Sequence, residues 1–303
     1  MSFPNLPKTF KYVNENNDSI IFEWKYGFLP EKPQGIDVLT ISHSEAQGIN
    51  QVGSTIQSSN VQSRVVNMSG RIVGANQLSK KELLLSVVRP DLSGRLYADD
   101  YYLEVRPATT PTFEAREHNA SYQFSLLAAY PYWQKDDSAA ATLSSVAKRF
   151  KLWDNAKAAT TGGNGRWWNI SGGGSATPYR FGEVVEAQFV NIFNGGQVPI
   201  PFTVTFKALA EVQNPKLTDA ATNKFLLLNK TLVAGEIVTV EITHERTYVN
   251  SSVDGECRGA LDLDSSFYRL AVGDNVIKPE ATSGKENMRV TIDFATEVVG
   301  IAL

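Results

Sequence analysis

The run Phe202-Thr203-Val204-Thr205-Phe206-Lys207 decides the fold class. Its apolar residues occupy every second position. Successive side chains on a strand point to opposite faces, so this run is a strand with one buried and one wet face. The same alternation returns at Val238, Val240 and Ile242, and again at Met288, Val290, Ile292 and Phe294. It also recurs at Tyr101, Leu103 and Val105, and at Tyr122, Phe124 and Leu126. Between these runs lie turn signals: Asp99-Asp100, Gly195-Gly196, Ala234-Gly235, Asp254-Gly255 and Gly273-Asp274-Asn275. Such residues tolerate positive φ or bond their own backbone. Short strands broken by frequent turns predict a mostly β chain built as sandwiches or barrels.

Two helices are predicted inside this β pattern. Ser79-Lys80-Lys81-Glu82 reads as a capping box, followed by Leu83-Leu84-Leu85-Ser86-Val87-Val88 and stopped by Pro90. The second covers Ser138 to Trp153, where Leu143, Val146, Ala147 and Phe150 would form one apolar stripe. Beyond it, two glycine clusters, Thr160 to Gly165 and Ser171 to Ser175, flank Trp167-Trp168. They lack the Gly-Lys-Ser/Thr of a phosphate loop and read as linker. The expected organisation is an N-terminal, sandwich-like β domain with one short helix over 1–135. A helix and Gly-rich linker or loop follows over 136–180, and a β-sandwich over 181–303.

Composition excludes several classes. The 303 residues are 42% hydrophobic and 20% charged, which rules out a disordered chain, a collagen or a coiled-coil rod. Lys plus Arg number 29 against 32 Asp plus Glu, so no basic excess suggests nucleic-acid binding. One cysteine, Cys257, excludes an internal disulfide framework and a cysteine-based metal cluster; it reads as a free thiol. The start, Met1-Ser2-Phe3-Pro4-Asn5-Leu6-Pro7, lacks the order of a secretory signal, so folding in the cytoplasm is expected. No run reaches the ~18–20 apolar residues of a membrane-spanning helix, and no membrane insertion is expected.

Candidate chemistry is sparse. Asp262 and Asp264 alternate with Leu261 and Leu263, placing both carboxylates on one strand face, where a solvated face is the simplest reading. His43, His118 and His244 fall in no metal-binding spacing, and no Gly-x-Ser-x-Gly elbow exists. No catalytic, cofactor or metal site is expected. Glycosylation triplets, among them those at Asn67, Asn119 and Asn169, carry no meaning without a secretory signal. The pair Trp167-Trp168 remains the one candidate contact, for a partner pocket or a sugar ring.

Several features, taken in order, resemble the distal tail protein family of long-tailed bacteriophages. The stretch Phe267-Tyr268-Arg269-Leu270-Ala271-Val272-Gly273-Asp274-Asn275-Val276-Ile277 is similar to that family's C-terminal Leu-x-x-Gly-Asp-Asn turn between two strands. Here Leu270, Val276 and Ile277 are expected in the core. Thr243 to Asp264 resembles the short strands before it, and Met288 to Phe294 the closing strand. Further upstream, Gln62 to Gly74, the helix Ser79 to Val88, Asp91-Leu92-Ser93-Gly94, the hairpin Leu96 to Arg106 and Ala129-Tyr130-Pro131-Tyr132-Trp133 match the N-terminal pattern.

The resemblance implies a galectin-like C-terminal sandwich and a virion protein of the tail tip, made in the host cytoplasm. It implies a hexameric ring joining the tail tube protein to a tail-associated lysin or hub and a receptor-binding protein, with DNA passing through unread. The galectin sugar-binding motifs, His-x-Asn-Pro-Arg and Trp-Gly-x-Glu-x-Arg, do not occur, so no sugar-binding residue carries over. The alternative reading is a carbohydrate-binding sandwich that contacts cell-wall polysaccharide through Trp167 and Trp168.

Overall fold

The computed structural model describes residues 9–115, 119–136, 139–144, 150–151, 180–181 and 189–301. The chain is mostly β, as the alternation predicts. In Thr203–Ala208, Val204, Phe206 and Ala208 are buried while the residues between them reach solvent.

The N-terminal strands run in the order Ser19–Phe22, Phe10–Asn14, Gly94–Ala98, Tyr101–Pro107, Ala120–Ala128, Arg64–Ile72, Phe28–Pro30, with every pair antiparallel. Tyr101–Pro107 meets Ala120–Ala128 only at Leu126 and Leu127, so the sheet turns a corner there and folds over one core. Tyr12, Phe22, Met68, Tyr122, Phe124 and Trp133 fill that core. The expected hairpin between Gly94–Ala98 and Tyr101–Pro107 is present, closed by Asp99 at φ 52°.

Among the described residues the one α-helix, α1, spans Gln77–Val87 and buries Leu84 and Val87. It starts earlier than the capping box implied. Asn76, at φ 59°, accepts the first helical hydrogen bond from the Lys80 N–H, and no side chain caps the end. Ser79 therefore lies inside the helix. Asn tolerates the left-handed conformation, and that outweighed the serine signal.

The second predicted helix is absent where the residues are described. Ala139–Ser144 is a strand, paired residue for residue with Met288–Phe294. Alanine's helix propensity is a weak prior, and the open edge of a packed sheet overrides it. Phe150–Lys151 likewise pairs as a strand with Arg180–Phe181.

In the C-terminal sandwich a six-stranded sheet runs Ala139–Ser144, Met288–Phe294, Thr203–Ala208, Ile237–Ile242, Thr247–Ser251, Gly255–Glu256. Facing it is a four-stranded sheet of Val190–Asn194, Gly273–Glu280, Lys216–Asp219 and Phe225–Leu227. The two inner faces share one apolar core.

The Gly-Asp-Asn segment departs from expectation. It opens the strand Gly273–Glu280 rather than turning between two strands, and the stretch before it holds a single bridge, Leu270 to Ile200. Leu270 and Ile277 are in the core, but Val276 is only half-buried on the other face. The buried Asn275 explains the motif. Its Oδ1 accepts from the Ala271 N–H at 2.8 Å, and its Nδ2 reaches the carbonyls of Ala271, Gly273 and Ile192. Gly273, at φ 91°, permits the tight return that this clamp needs.

Candidate assembly surfaces

Three surfaces could do work: a clasp between the two cores, a groove beside it, and a projecting hairpin with an exposed helix face.

The clasp starts at Trp133, fully buried, whose indole N–H donates to the Ile36 carbonyl at 3.1 Å. Its strand, Trp133–Lys135, pairs on one side with Tyr101–Pro107 and on the other with Glu297–Val298, which returns from the C-terminal sandwich. Arg64, also buried, donates to the carbonyls of Gly35, Ile36 and Val299. Burial lowers its pKa to about 10, against a small opposing pull from Asp37, so it stays cationic at neutral pH. Glu297 is buried as well and accepts from the Tyr130 hydroxyl at 2.5 Å. Burial holds its carboxyl above the usual range, against the Tyr130 hydrogen bond and the charge of Arg269. Burial, followed by that same bond, pushes the Tyr130 hydroxyl far above the ordinary phenol. The Tyr130 ring stacks on His244 at 4.1 Å, which ties the hairpin after Ile237–Ile242 to the N-terminal core. Strand pairing, buried ion and stacked ring together make one rigid connection.

Beside the clasp lies an open groove of about 570 Å³ whose lining includes Glu15, Arg95, Arg106, Tyr130, His244 and Glu245. Its charges are mixed in sign, and Arg95 is already engaged by Glu104 at 3.2 Å.

The third surface is a two-stranded ribbon, Ile41–Ala46 with Thr55–Val61, that pairs with no other strand among the described residues and is exposed almost throughout. Its tip is ordered by polar bonds. Gln51 accepts from the Gly48 N–H and donates to Thr55, and Ser54 donates to Glu45 at 2.5 Å. This network leaves Ile49 98% and Val52 101% exposed, so both side chains stand wholly in solvent. On α1, Leu78, Leu83 and Leu85 are also exposed, as is Trp24 in the short 3-10 turn Trp24–Tyr26.

Residues 195–299 match the family model described as the siphovirus-type tail component, C-terminal domain. The chain carries a phage tail component domain. In solved structures the chain is similar to the Dit protein of phage SPP1, described as a paradigm of the hub adsorption apparatus in phages infecting Gram-positive bacteria. That match has a TM-score of 0.65 at 14% identity, covering 95% of this chain and 98% of that one. It is also similar to a chain of the phage P2 baseplate in its activated conformation with calcium, with a TM-score of 0.48 at 10% identity, covering 97% and 99%. No curated protein matches the chain in sequence.

The sequence-predicted residues fall as follows. Asp262 and Asp264 are not on a strand; they form a turn in which Asp262 accepts from the Asp264 N–H at 2.8 Å and from Asn229 at 2.7 Å. Those bonds hold the Asp262 carboxyl below its ordinary range. This is a local capping role and no acid/base pair. Cys257 is half-buried, and burial pushes its thiol up, away from reactivity. His43 bonds Ser59 on the ribbon and His244 serves the clasp, while His118 lies outside the described residues. Trp167, Trp168 and both glycine clusters also lie outside them. Among the described residues no group of three or more His, Cys, Asp or Glu is placed to hold a metal, and no helix is long and apolar enough to cross a membrane.

Sequence reasoning missed the clasp and the ribbon. The ribbon had a signal: from Ile41 to Ser63, Glu45 is the only charged residue. The clasp had none, because its members are spread from Arg64 to Val299.

Proposed function

We propose that this protein is a structural component of a phage tail tip, a distal tail protein that closes into a hexameric ring. The ring joins the tail tube protein on one side to a tail-associated lysin or hub and a receptor-binding protein on the other, and DNA passes through its lumen. The protein is made in the host cytoplasm and resides in the virion. It performs no catalysis and takes no cofactor. The observation that carries this reading is the tail component domain over residues 195–299.

The clasp supports it. A connector must transmit force and position between two layers of an assembly, and the strand pairing of Trp133–Lys135 with Glu297–Val298 couples the two cores without a free hinge. A net charge of -3 also suits a passage that must not hold phosphate tightly.

Negative-stain imaging of the purified protein tests the reading. Six-fold annuli are expected. Monomers alone at tens of micromolar, combined with absence of the protein from purified tails, would overturn it.

A further inference from the structure

Four polar side chains meet in the C-terminal sandwich, away from the clasp. Lys230 lies just before the strand Thr231–Leu232, and Glu236 just before Ile237–Ile242. Ser251 ends Thr247–Ser251, and Asp254 lies in the turn before Gly255–Glu256. The Lys230 ammonium donates to the Glu236 carboxylate, to Asp254 Oδ2 at 2.6 Å and to Ser251 Oγ at 3.2 Å. Glu236 is 2% exposed and fixed by two further donors, Ser251 Oγ at 2.5 Å and the Val233 N–H at 3.0 Å.

A simple ion pair needs one carboxylate, and this amine faces two. One is buried and fixed; the other sits on a turn with its side chain 55% exposed. An amine, a carboxyl group within its reach and a second, buried carboxylate on the same nitrogen are the parts of an amide-forming site: nucleophile, electrophile and proton relay.

We propose that Lys230 and Asp254 condense into an isopeptide bond, with Glu236 relaying the protons. Glu236 takes a proton from the Lys230 ammonium and passes it to an Asp254 carboxyl oxygen. The free Nζ attacks the Asp254 Cγ and the N–C bond forms. The nitrogen gives up a second proton through Glu236 to the same oxygen, the Cγ–O bond breaks, and water leaves. Nothing is oxidised or reduced, and Glu236 ends as it began. The site acts once per chain, so this is a maturation step and not enzyme turnover. Holding Nζ against the carboxyl makes the step unimolecular, which gives oriented groups their large effective concentration. The exposure of Asp254 gives the departing water an exit. Burial lowers the Lys230 pKa, but hydrogen bonds to Asp254 and Glu236 outweigh it and the net shift is upward. The neutral amine is therefore scarce at neutral pH, and the bond forms faster as pH rises. It ties the turn after Thr247–Ser251 to the loop ahead of Thr231–Leu232, and it does not depend on how the protein assembles.

The test holds the full chain in mildly alkaline buffer and follows its intact mass by electrospray. The expected product is lighter than the sequence by one water, and proteolysis yields a branched peptide carrying Lys230 and Asp254 together. Lys230→Arg and Asp254→Ala should keep the full sequence mass, and Glu236→Gln should slow the bond by about 100-fold. The branched peptide is read on the unaltered chain, so the result stands whether or not a variant folds. A parent that keeps its full mass throughout overturns the proposal. So does a loss of one water that persists in Lys230→Arg and is cleaved by hydroxylamine, since that marks a succinimide at Asp254-Gly255.

Discussion

Replacing Asn275 by alanine should cost the C-terminal sandwich about 2–3 kcal/mol. Asn275 is 6% exposed; its Oδ1 accepts from the Ala271 N–H, and the two hydrogens of its Nδ2 are shared among the carbonyls of Ala271, Gly273 and Ile192. A net hydrogen bond contributes about 1 kcal/mol, and a buried group left unpaired costs about 1–3 kcal/mol. Ala271 is exposed and Gly273 half-buried, so water recovers part of the loss there; the Ile192 contact is buried and recovers nothing. Two effective bonds plus a small void give the figure. The control is Asn191, exposed on the adjacent strand, whose Nδ2 donates only to Asp274 at 2.7 Å. Asn191→Ala should change stability by less than ~0.5 kcal/mol, as ordinary surface substitutions do. Urea unfolding followed by far-ultraviolet circular dichroism reads both. Equal midpoints for the two variants would show that the motif is held by its backbone alone, and the clamp argument would fail.

Glu297→Gln should stabilise the protein increasingly as pH rises. The folded carboxyl sits above its unfolded value because burial disfavours the anion, so the native contribution is present below the unfolded pKa and lost as pH climbs through the folded one. Thermal midpoints of parent and variant should converge in acid and diverge near neutrality; a constant offset would contradict this. Trp133→Ala should cost about 3–5 kcal/mol and release the C-terminal strand, seen as faster hydrogen exchange at Glu297 and Val298. Gly196→Ala should cost about 1–3 kcal/mol through overpacking, since its added methyl would lie 2.5 Å from the Glu297 carbonyl oxygen; the readout is the same exchange at Glu297.

Local periodicity carried the sheet strands into view because burial is one-sided there: Val204 and Phe206 inward, Thr203 and Thr205 outward. The same rule failed at Ala139–Ser144, where alanines carry almost no facial information and the decision belonged to the unpaired edge of Met288–Phe294. It failed again around Asp262 and Asp264. Alternation mimicked a strand, while Asp262 in fact caps a turn through its own side chain. The ribbon is the opposite case. With both faces wet it has no hydrophobic alternation to read, and its lack of charge was the only mark that set it apart.

The clasp bears on how firmly the two cores are joined. Arg64 supplies a charge that cannot be left unpaired in a buried site, and its partners are carbonyls on both sides of the domain junction, Ile36 and Val299. Separating the two cores would strand that cation, so the junction resists opening more than apolar contact alone would.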